Sequence, residues 1–223
     1  VVGFANGFPD CHIFPMHPPV AVPWEPGVAM CFARAEGMDH GPLTVDPRQA
    51  LLRQVERAAA IGIDLLVGTE LEFYLLDPDT GRPRDEGNDC YGLARAAELE
   101  PVLGPMRREL AEMGIPIEQS NPEYAAGQVE VNIRYDSAMI AADRVVIFRS
   151  LVKQLAARHG LNATFMAKPF IDESGNGFHL HYSLWSQGKN IFADAGKLND
   201  RGRHFLGGMQ QRMAEASICG AAT

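Results

Sequence analysis

The sequence predicts an α+β fold in which helices cover one face of an antiparallel β-sheet and leave the other face open. Three strand-like segments alternate apolar and polar residues, which is typical of an antiparallel sheet with one covered face. Segments with a helical apolar period, a capping residue at the start and glycine at the end lie between them. With 223 residues, 46% of them hydrophobic, the chain can bury a sizeable core.

Length predicts one large domain or one domain plus a fragment, and the composition changes between residues 1–42 and 43–223. The first region is rich in proline and glycine, and short strands between turns are expected there, with "VAMCFARA" the clearest. The second region is predicted to begin with a helix over 47–61, because Asp46 is a suitable N-cap and Pro47 lies in the first turn. The apolar stripe of this helix consists of Leu51, Leu52, Val55, Ala58 and Ala59.

The remaining elements follow in order. "GTELEFYLLD" (68–77) predicts a strand, and a helix over about 95–113 ends at Gly114. "GQVEVNIRYD" predicts the next strand, and "DSAMIAADRVVIFRSLVKQLAARHG" predicts a helix capped by Asp136 and stopped by Gly160. "NATFMAKPF" predicts a buried strand, "GFHLHYSLW" a third strand with a polar face, and residues 200–218 a last helix.

Three of these strands carry groups that bind metals or phosphates on their polar faces. The polar positions are Glu70 and Glu72; Gln128, Glu130, Asn132 and Arg134; and His179, His181 and Ser183. The apolar positions that alternate with them are Leu71, Phe73 and Leu75; Val129, Val131, Ile133 and Tyr135; and Leu180, Tyr182 and Leu184. A solvated surface would explain any single strand. Three such strands together favour a metal-dependent site over a solvated surface.

The chemistry of these groups indicates the kind of ligand. Carboxylates suit Mg²⁺ or Mn²⁺, and an imidazole among them is compatible with Mn²⁺. Cations that bridge phosphate oxygens would allow ATP to bind an acidic site, so a phosphorylated or nucleotide substrate is expected. The net charge of −8 argues against binding a nucleic-acid backbone.

Cysteine usage and hydropathy bear on the compartment. Cys11, Cys31, Cys90 and Cys219 have no metal-ligand spacing, which favours free thiols in a reducing compartment. No apolar run reaches the length of a membrane span, and no signal segment opens the chain. A cytoplasmic protein without membrane contact is therefore expected.

Four ordered segments resemble the glutamine synthetase superfamily: "GTELEF", "IEQSNPEYAAGQVEV", "AADRVVIFRSLVKQLAARHGLNATFMAKP" and "SGNGFHLHYSLW". "PRQALLRQ" is similar to the entry into that family's catalytic domain, and "PDCHIFPMHPPVAVPW" to the end of its small β-grasp-like N-terminal domain. The resemblance implies a curved antiparallel sheet with flanking helices. Within the superfamily, the chain looks closer to γ-glutamyl-polyamine synthetases than to the ammonia-using form.

The resemblance also implies roles for individual residues. Glu70 and His179 would bind the cation next to the nucleotide phosphates, and Glu72, Glu123 and Glu130 would bind a second cation that orients glutamate. Glu118, His181 and Ser183 match positions on the nucleotide side, and Gly175 lies in the loop that meets glutamate. Ser174 departs from the asparagine usual in ammonia-using enzymes, which puts the choice of amine in doubt.

The implied reaction is an ATP-driven ligation with two Mg²⁺ or Mn²⁺ ions per site. The γ-carboxylate of glutamate attacks the terminal phosphoryl group of ATP, and ammonia or an amine captures the resulting acyl phosphate. The implied assembly is a homo-oligomer of stacked rings, a dodecamer for the full-length protein. A non-catalytic scaffold or sensor of the same family and an unrelated metal-dependent hydrolase are the alternatives.

The family's other functional residues are expected beyond both ends of this chain. These are the acid that deprotonates the amine, the glutamate-binding arginines and a last carboxylate ligand, so no catalytic residue is assigned here. The chain is interpreted as a portion of a longer enzyme, because every ligand position inside it is intact. Alone, it is expected to form no amide.

Overall fold

A computed structural model describes residues 7, 10–43, 45–83, 87 and 89–220, with side chains up to residue 217. Four short strands come first: β1 (His12–Pro15), β2 (Val20–Ala21), β3 (Ala29–Met30) and β4 (Ala33–Glu36). The central elements are α1 (Pro47–Ala59), β5 (Asp64–Leu76), α2 (Leu93–Glu112), β6 (Ile117–Pro122), β7 (Gln128–Ser137) and α3 (Ala138–Arg158). The last are β8 (Asn162–Thr164), β9 (Phe178–Ser186), β10 (Lys189–Asn190), β11 (Ala193–Asp194), β12 (Lys197–Leu198) and α4 (Asp200–Gly220).

One antiparallel sheet organises the fold, in the order β10-β9-β5-β7-β6, with β8 pairing the far end of β5. β5 lies in the middle, between β9 and β8 on one side and β7 on the other. The predicted antiparallel sheet is therefore confirmed. Each of the four predicted helices is present, with its ends within two residues of the expected positions.

Helices α2 and α3 cover one face of this sheet. Phe73 of β5 contacts Phe148 of α3 edge-to-face, with ring centroids 6.4 Å apart, and both side chains are fully buried. Leu103 and Leu110 of α2 belong to the same apolar cluster. These two helices do not extend over β9, where Leu180 is 43% exposed. The opposite face of the sheet is free to carry polar side chains.

The N-terminal region packs against this core. Val22 is buried in the cluster that contains Phe73, and the ring of Trp24 stacks under the Arg158 guanidinium at 5.7 Å. Arg48 at the start of α1 forms a two-bond ion pair with Asp143 of α3. The division at residue 42 and the β-grasp-like character of residues 1–42 stay predictions.

Asp136 does not cap α3, so that prediction is wrong. The helix begins at Ala138 with Ser137 at the N-cap, and the Ser137 side chain forms no capping hydrogen bond. Asp136 Oδ1 accepts a hydrogen bond only from the neighbouring Ser137 backbone N–H, at 2.7 Å, which lies before the first turn. Strand β7 continues through Asp136 because that residue pairs with Val67 of β5. The Asp136 carboxylate instead forms an ion pair with Arg144, 3.0 Å away. By contrast, Asp46 does cap α1, where it accepts a hydrogen bond from the Arg48 backbone N–H.

Tyr135 also departs from the prediction, which placed it on the apolar face of β7. A bulge breaks the pairing of β5 and β7, since Val67 opposes Asp136 while Thr69 opposes Ile133. The extra residue in β7 reverses the alternation beyond it. Tyr135 therefore flanks Gly68 on the polar face and is 51% exposed.

The buried strand predicted for "NATFMAKPF" is short. Only Asn162–Thr164 pairs with β5, and Met166 is 53% exposed. The side chain of Asn176 donates hydrogen bonds to the carbonyls of Thr164 and Met166, in place of a neighbouring strand. The chain then continues as a loop.

Two further features of the described residues concern the cysteines and the apolar character of the helices. Cys11, Cys31 and Cys90 are free, and the side chain of Cys219 lies outside the described part. Within that part, no helix combines the length and the apolar character that crossing a membrane requires.

Candidate metal and nucleotide site

The pairing of three strands brings the predicted ligands together on the open face of the sheet. Glu70 of β5 lies directly opposite His179 of β9, and Glu72 lies opposite Glu130 of β7. Because residues opposite each other on neighbouring strands have Cβ atoms about 5 Å apart, these side chains can share a ligand. The convergence expected from the alternating pattern is therefore observed.

The tightest group consists of Glu70, Glu130 and His179. One ligand atom from each lies within 4.8 Å of the other two, which is a suitable span for a metal ion. The group differs from the expected assignment, which placed Glu130 with Glu72 and Glu123. Glu72, Glu123 and Glu130 nevertheless line one cavity of about 530 Å³ together with Glu70 and His179.

Two imidazoles hold the Glu70 carboxylate. His179 Nδ1 lies 3.0 Å from Oε2 of Glu70, and His181 Nε2 lies 3.0 Å from Oε1. Partial burial alone would raise the pKa of Glu70, but the hydrogen bonds with His179 and His181 together lower it. Glu70 is therefore ionised at neutral pH. The histidine side chains are 58% and 63% exposed, so the site is open to solvent on the β9 side.

Glu123 and Glu130 are in a different environment, since they are 5% and 7% exposed. Burial raises the pKa of Glu130, and the charges of Glu70, Glu123 and Glu72 raise it further. Burial and the charge of Glu72 likewise raise the pKa of Glu123, whose Oε1 accepts a hydrogen bond from the Asn121 side chain at 2.9 Å. The site therefore confines mutually repelling carboxylates.

These residues fit divalent cations. In the described part of the chain, no lysine or arginine pairs with Glu72, Glu123 or Glu130, although buried carboxylates normally need a cationic partner. Gly177 leaves open the space between two of the ligands, because a Cβ there would lie 2.7 Å from Glu72 Oε1 and 3.0 Å from His179 Nε2. All the donors are carboxylate oxygens or imidazole nitrogens, which suits Mg²⁺ or Mn²⁺.

The residues expected on the nucleotide side line a second cavity. Glu118 of β6 and His181 and Ser183 of β9 surround about 370 Å³. Glu70 lines both cavities, so it lies between them. Asn132 also lines both, and its buried Oδ1 has no hydrogen-bond partner among the described residues.

Gly175 lies at the edge of the larger cavity, in a loop held by several hydrogen bonds. The Tyr74 hydroxyl donates to the Ser174 carbonyl at 2.6 Å, and Lys168 Nζ donates to the Glu173 carbonyl. The backbone N–H of Asn176 donates to the Ala167 carbonyl at 2.8 Å. Two of these bonds thus lie within the loop, and the one from Tyr74 joins it to β5.

Three residues of the site were not assigned roles from the sequence. Tyr135 enters the smaller cavity because of the bulge, which periodicity does not reveal. Tyr91 lines the larger cavity with a backbone φ of 57° and hydrogen-bonds Glu123, whose charge, with burial, raises the pKa of Tyr91 to about 12. Gln128 is only 2% exposed. The sequence shows its place on the polar face of a strand, but it does not show that the amide is buried.

Comparison with known proteins agrees with this geometry. Residues 44–223 match the family model described as "Glutamine synthetase, catalytic domain". A glutamate–isopropylamine ligase from a Pseudomonas species is 32% identical over an alignment of 230 positions, which covers 96% of this chain and 50% of that protein. A γ-glutamylethanolamide synthetase from Streptomyces coelicolor is 35% identical over 209 residues, covering 88% of this chain and 45% of that protein. The chain thus spans about half the length of these relatives.

Solved structures show the same fold. A GmaS–ADP complex matches with a TM-score of 0.80 at 35% identity, covering 86% of this chain and 46% of the other. A glutamine synthase homologue matches with a TM-score of 0.79 at 29% identity, covering 92% and 49%. These matches confirm the predicted curled antiparallel sheet with flanking helices.

Proposed function

Because the chain belongs to the glutamine synthetase catalytic-domain family, we propose that it forms the metal- and nucleotide-binding part of an ATP-dependent ligase that joins the γ-carboxylate of glutamate to ammonia or an amine. One observation carries the proposal. Four carboxylates and two imidazoles converge between two adjoining cavities on the open face of the sheet. The activities after which two relatives are named, those of a glutamate–isopropylamine ligase and a γ-glutamylethanolamide synthetase, support ligation to glutamate.

Five residues would bind the cations, and a sixth would position one of these five. Glu70 and His179 would bind one ion, Glu72 and Glu123 the other, and Glu130 lies within reach of both groups. When bound, the cations supply electrostatic neutralisation of the charge that shifts during phosphoryl transfer. His181 keeps the Glu70 carboxylate in place through its 3.0 Å contact.

Substrates would occupy the two cavities. We assign ATP to the side of Glu118, His181 and Ser183, and glutamate to the side of Gly175. A γ-carboxylate oxygen would attack the terminal phosphorus of ATP, ADP would leave, and the amine nitrogen would then displace phosphate from the acyl phosphate and lose a proton. The loop at Gly175 would orient the carboxylate for this attack.

The family also supports a homo-oligomer of stacked rings, which we propose for the full-length protein. Exposed apolar side chains in the N-terminal region are consistent with subunit contacts, since Ile13 and Met38 are 66% and 61% exposed. A non-catalytic family member is the alternative, and it would lack coupled binding of cations and ATP. We further propose that the 223-residue chain alone forms no amide, because its site is open to water on the β9 side.

The first test uses titration calorimetry to measure the order in which Mn²⁺ and ATP bind to the purified chain. We expect Mn²⁺ to bind the chain, and ATP to bind only when Mn²⁺ is present. The reason is that four carboxylates repel a polyphosphate unless cations lie between them.

The matched control is a pair of histidine variants. His179→Ala should lose Mn²⁺ binding, whereas His204→Ala, an exposed position on α4, should bind as the unmodified chain does. Equal ATP binding in Mn²⁺ and in EDTA would contradict the proposal. Phosphate release from ATP that depends on an amine would contradict the inactivity expected of the isolated chain.

A further inference from the structure

The side chain of Gln128 joins three parts of the site that are distant in the sequence. Its Nε2 lies 3.1 Å from Glu72 Oε2, 2.9 Å from the Gly175 carbonyl oxygen and 3.1 Å from Asn176 Oδ1. Its Oε1 accepts a hydrogen bond at 3.2 Å from the backbone N–H of Ala125, in the turn that follows Glu123. Both polar atoms of this buried amide are therefore used.

The three contacts of Gln128 Nε2 depend on one another, because this nitrogen has fewer donors than there are acceptors around it. An amide nitrogen has two N–H donors, yet three acceptors surround this one. The donors are shared between the Glu72 carboxylate and the loop 174–177. A change in the position of the carboxylate must therefore change the hydrogen bonds that reach the loop.

One carboxylate oxygen of Glu72 is hydrogen-bonded within the protein, and the other is available to a ligand. Its Oε2 accepts from Gln128 Nε2 and, at 2.9 Å, from the backbone N–H of Gly177. Oε1 has no donor among the residues that the structure describes, and it lies beside the space that Gly177 leaves open. A ligand that immobilised Oε1 would also immobilise the amide bound to Oε2.

We infer that Gln128 is a positioning residue that couples cation binding at Glu72 to the ordering of the loop 174–177. The inference rests on the proposed function, in which Glu72 binds a cation and Gly175 lies beside glutamate. A bound cation restricts Glu72, Glu72 restricts the Gln128 amide, and the amide fixes the carbonyl of Gly175 and the side chain of Asn176. By linkage, an ordered loop strengthens cation binding by the same factor.

Hydrogen exchange at the Asn176 backbone amide tests this coupling in the full 223-residue chain, with Mn²⁺ as the probe. This amide donates to the Ala167 carbonyl, so its exchange rate reports the order of the loop without involving Glu72 directly. Mass spectrometry with residue-level fragmentation would compare Mn²⁺ with EDTA. We expect Mn²⁺ to slow the exchange about fivefold, at the low end of typical couplings between sites.

The decisive variant is Gln128→Met, which keeps the length of the side chain and removes both donors. At saturating Mn²⁺ most of the slowing at its Asn176 amide should be lost, because only the direct bond from the Gly177 backbone N–H to Glu72 would still join the carboxylate to the loop. Asn199→Ala is the matched control, because Asn199 is a partly buried amide that binds the Asp194 carboxylate at 3.1 Å but lines neither cavity of the site. It should keep the Mn²⁺-dependent slowing, whereas a general loss of structure would remove the response from both variants.

The outcomes separate the inference from the proposal beneath it. A fivefold response in Gln128→Met would overturn the inference. So would an unmodified chain that binds Mn²⁺ without any slowing at Asn176, a result that does not depend on the folding of a variant. An unmodified chain that fails to bind Mn²⁺ would overturn the proposed function, and the inference with it.

Discussion

Replacing Glu130 with glutamine is expected to stabilise the metal-free chain and to weaken its binding of Mn²⁺ at least about 100-fold. Glu130 is 7% exposed, and its carboxylate lies among Glu70, Glu72 and Glu123, which all raise its pKa. An uncharged amide relieves this repulsion and keeps the volume of the side chain. We expect a gain of about 1 kcal/mol in the free energy of unfolding, as is common when an unfavourable charge is removed. For a chain of this size the midpoint of thermal unfolding would rise by about 3 °C.

The gain should depend on pH in a defined direction. The folded chain raises the pKa of Glu130 above its ordinary value of 4.5, so folding favours the protonated carboxyl. The penalty is therefore absent below the unfolded pKa and grows as the pH rises through the folded pKa. Thermal unfolding in EDTA should show no difference between Glu130→Gln and the unmodified chain at pH 4, and the full difference at pH 8.

The same variant should bind Mn²⁺ at least about 100-fold more weakly, since even disturbing groups around metal ligands costs 10- to 100-fold. Glu215→Gln is the matched control, because Glu215 forms only a surface ion pair with Arg212 on α4. It should change neither the pH profile nor the affinity for Mn²⁺. A Glu130→Gln chain that is less stable at pH 8 would show that Glu130 is not repelled by its neighbours.

The sequence alone predicts the ligand-bearing strands, because the alternation of polar and apolar residues along each strand is a local pattern. Glu70 and Glu72 lie on the open face as the two-residue period of a strand requires, and helix α1 begins where Asp46 and Pro47 predict. Periodicity does not show where an extra residue enters a ladder, so it placed Tyr135 on the wrong face. The bulge arises from the pairing of β7 with β5, a contact between segments about 70 residues apart.

The role of Gln128 and the short length of β8 have a common cause. Gln128 contacts Gly175 and Asn176, which lie 47 and 48 residues away, and no local pattern specifies those contacts. Asn176 in turn bonds the carbonyls of Thr164 and Met166 and so takes the place of a strand partner after β8. The loop that contains Asn176 thus determines both the contacts of Gln128 and the length of β8. These contacts exist only in the folded sheet, so the sequence does not predict them.

Replacing Gly177 with alanine is expected to leave the fold intact and to weaken Mn²⁺ binding about 10- to 100-fold, the loss typical of disturbing groups that orient metal ligands. The new Cβ would lie 2.7 Å from Glu72 Oε1 and 3.0 Å from His179 Nε2, so both ligands must move. These atoms are the ends of side chains on the open face, and they can rotate away at little cost to stability. The displaced groups are the ones that would hold the cations.

The measurement is Mn²⁺ affinity and thermal unfolding of Gly177→Ala beside a matched glycine variant. Gly207→Ala is suitable, because a Cβ at this helical position of α4 meets nothing within 4 Å. It should bind Mn²⁺ like the unmodified chain and be more stable by about 0.5–1 kcal/mol, as expected for alanine in place of glycine in a helix. If Gly177→Ala kept full affinity, Glu72 and His179 would not both be cation ligands. If it unfolded, the two side chains would be less free to move than their position on the open face implies.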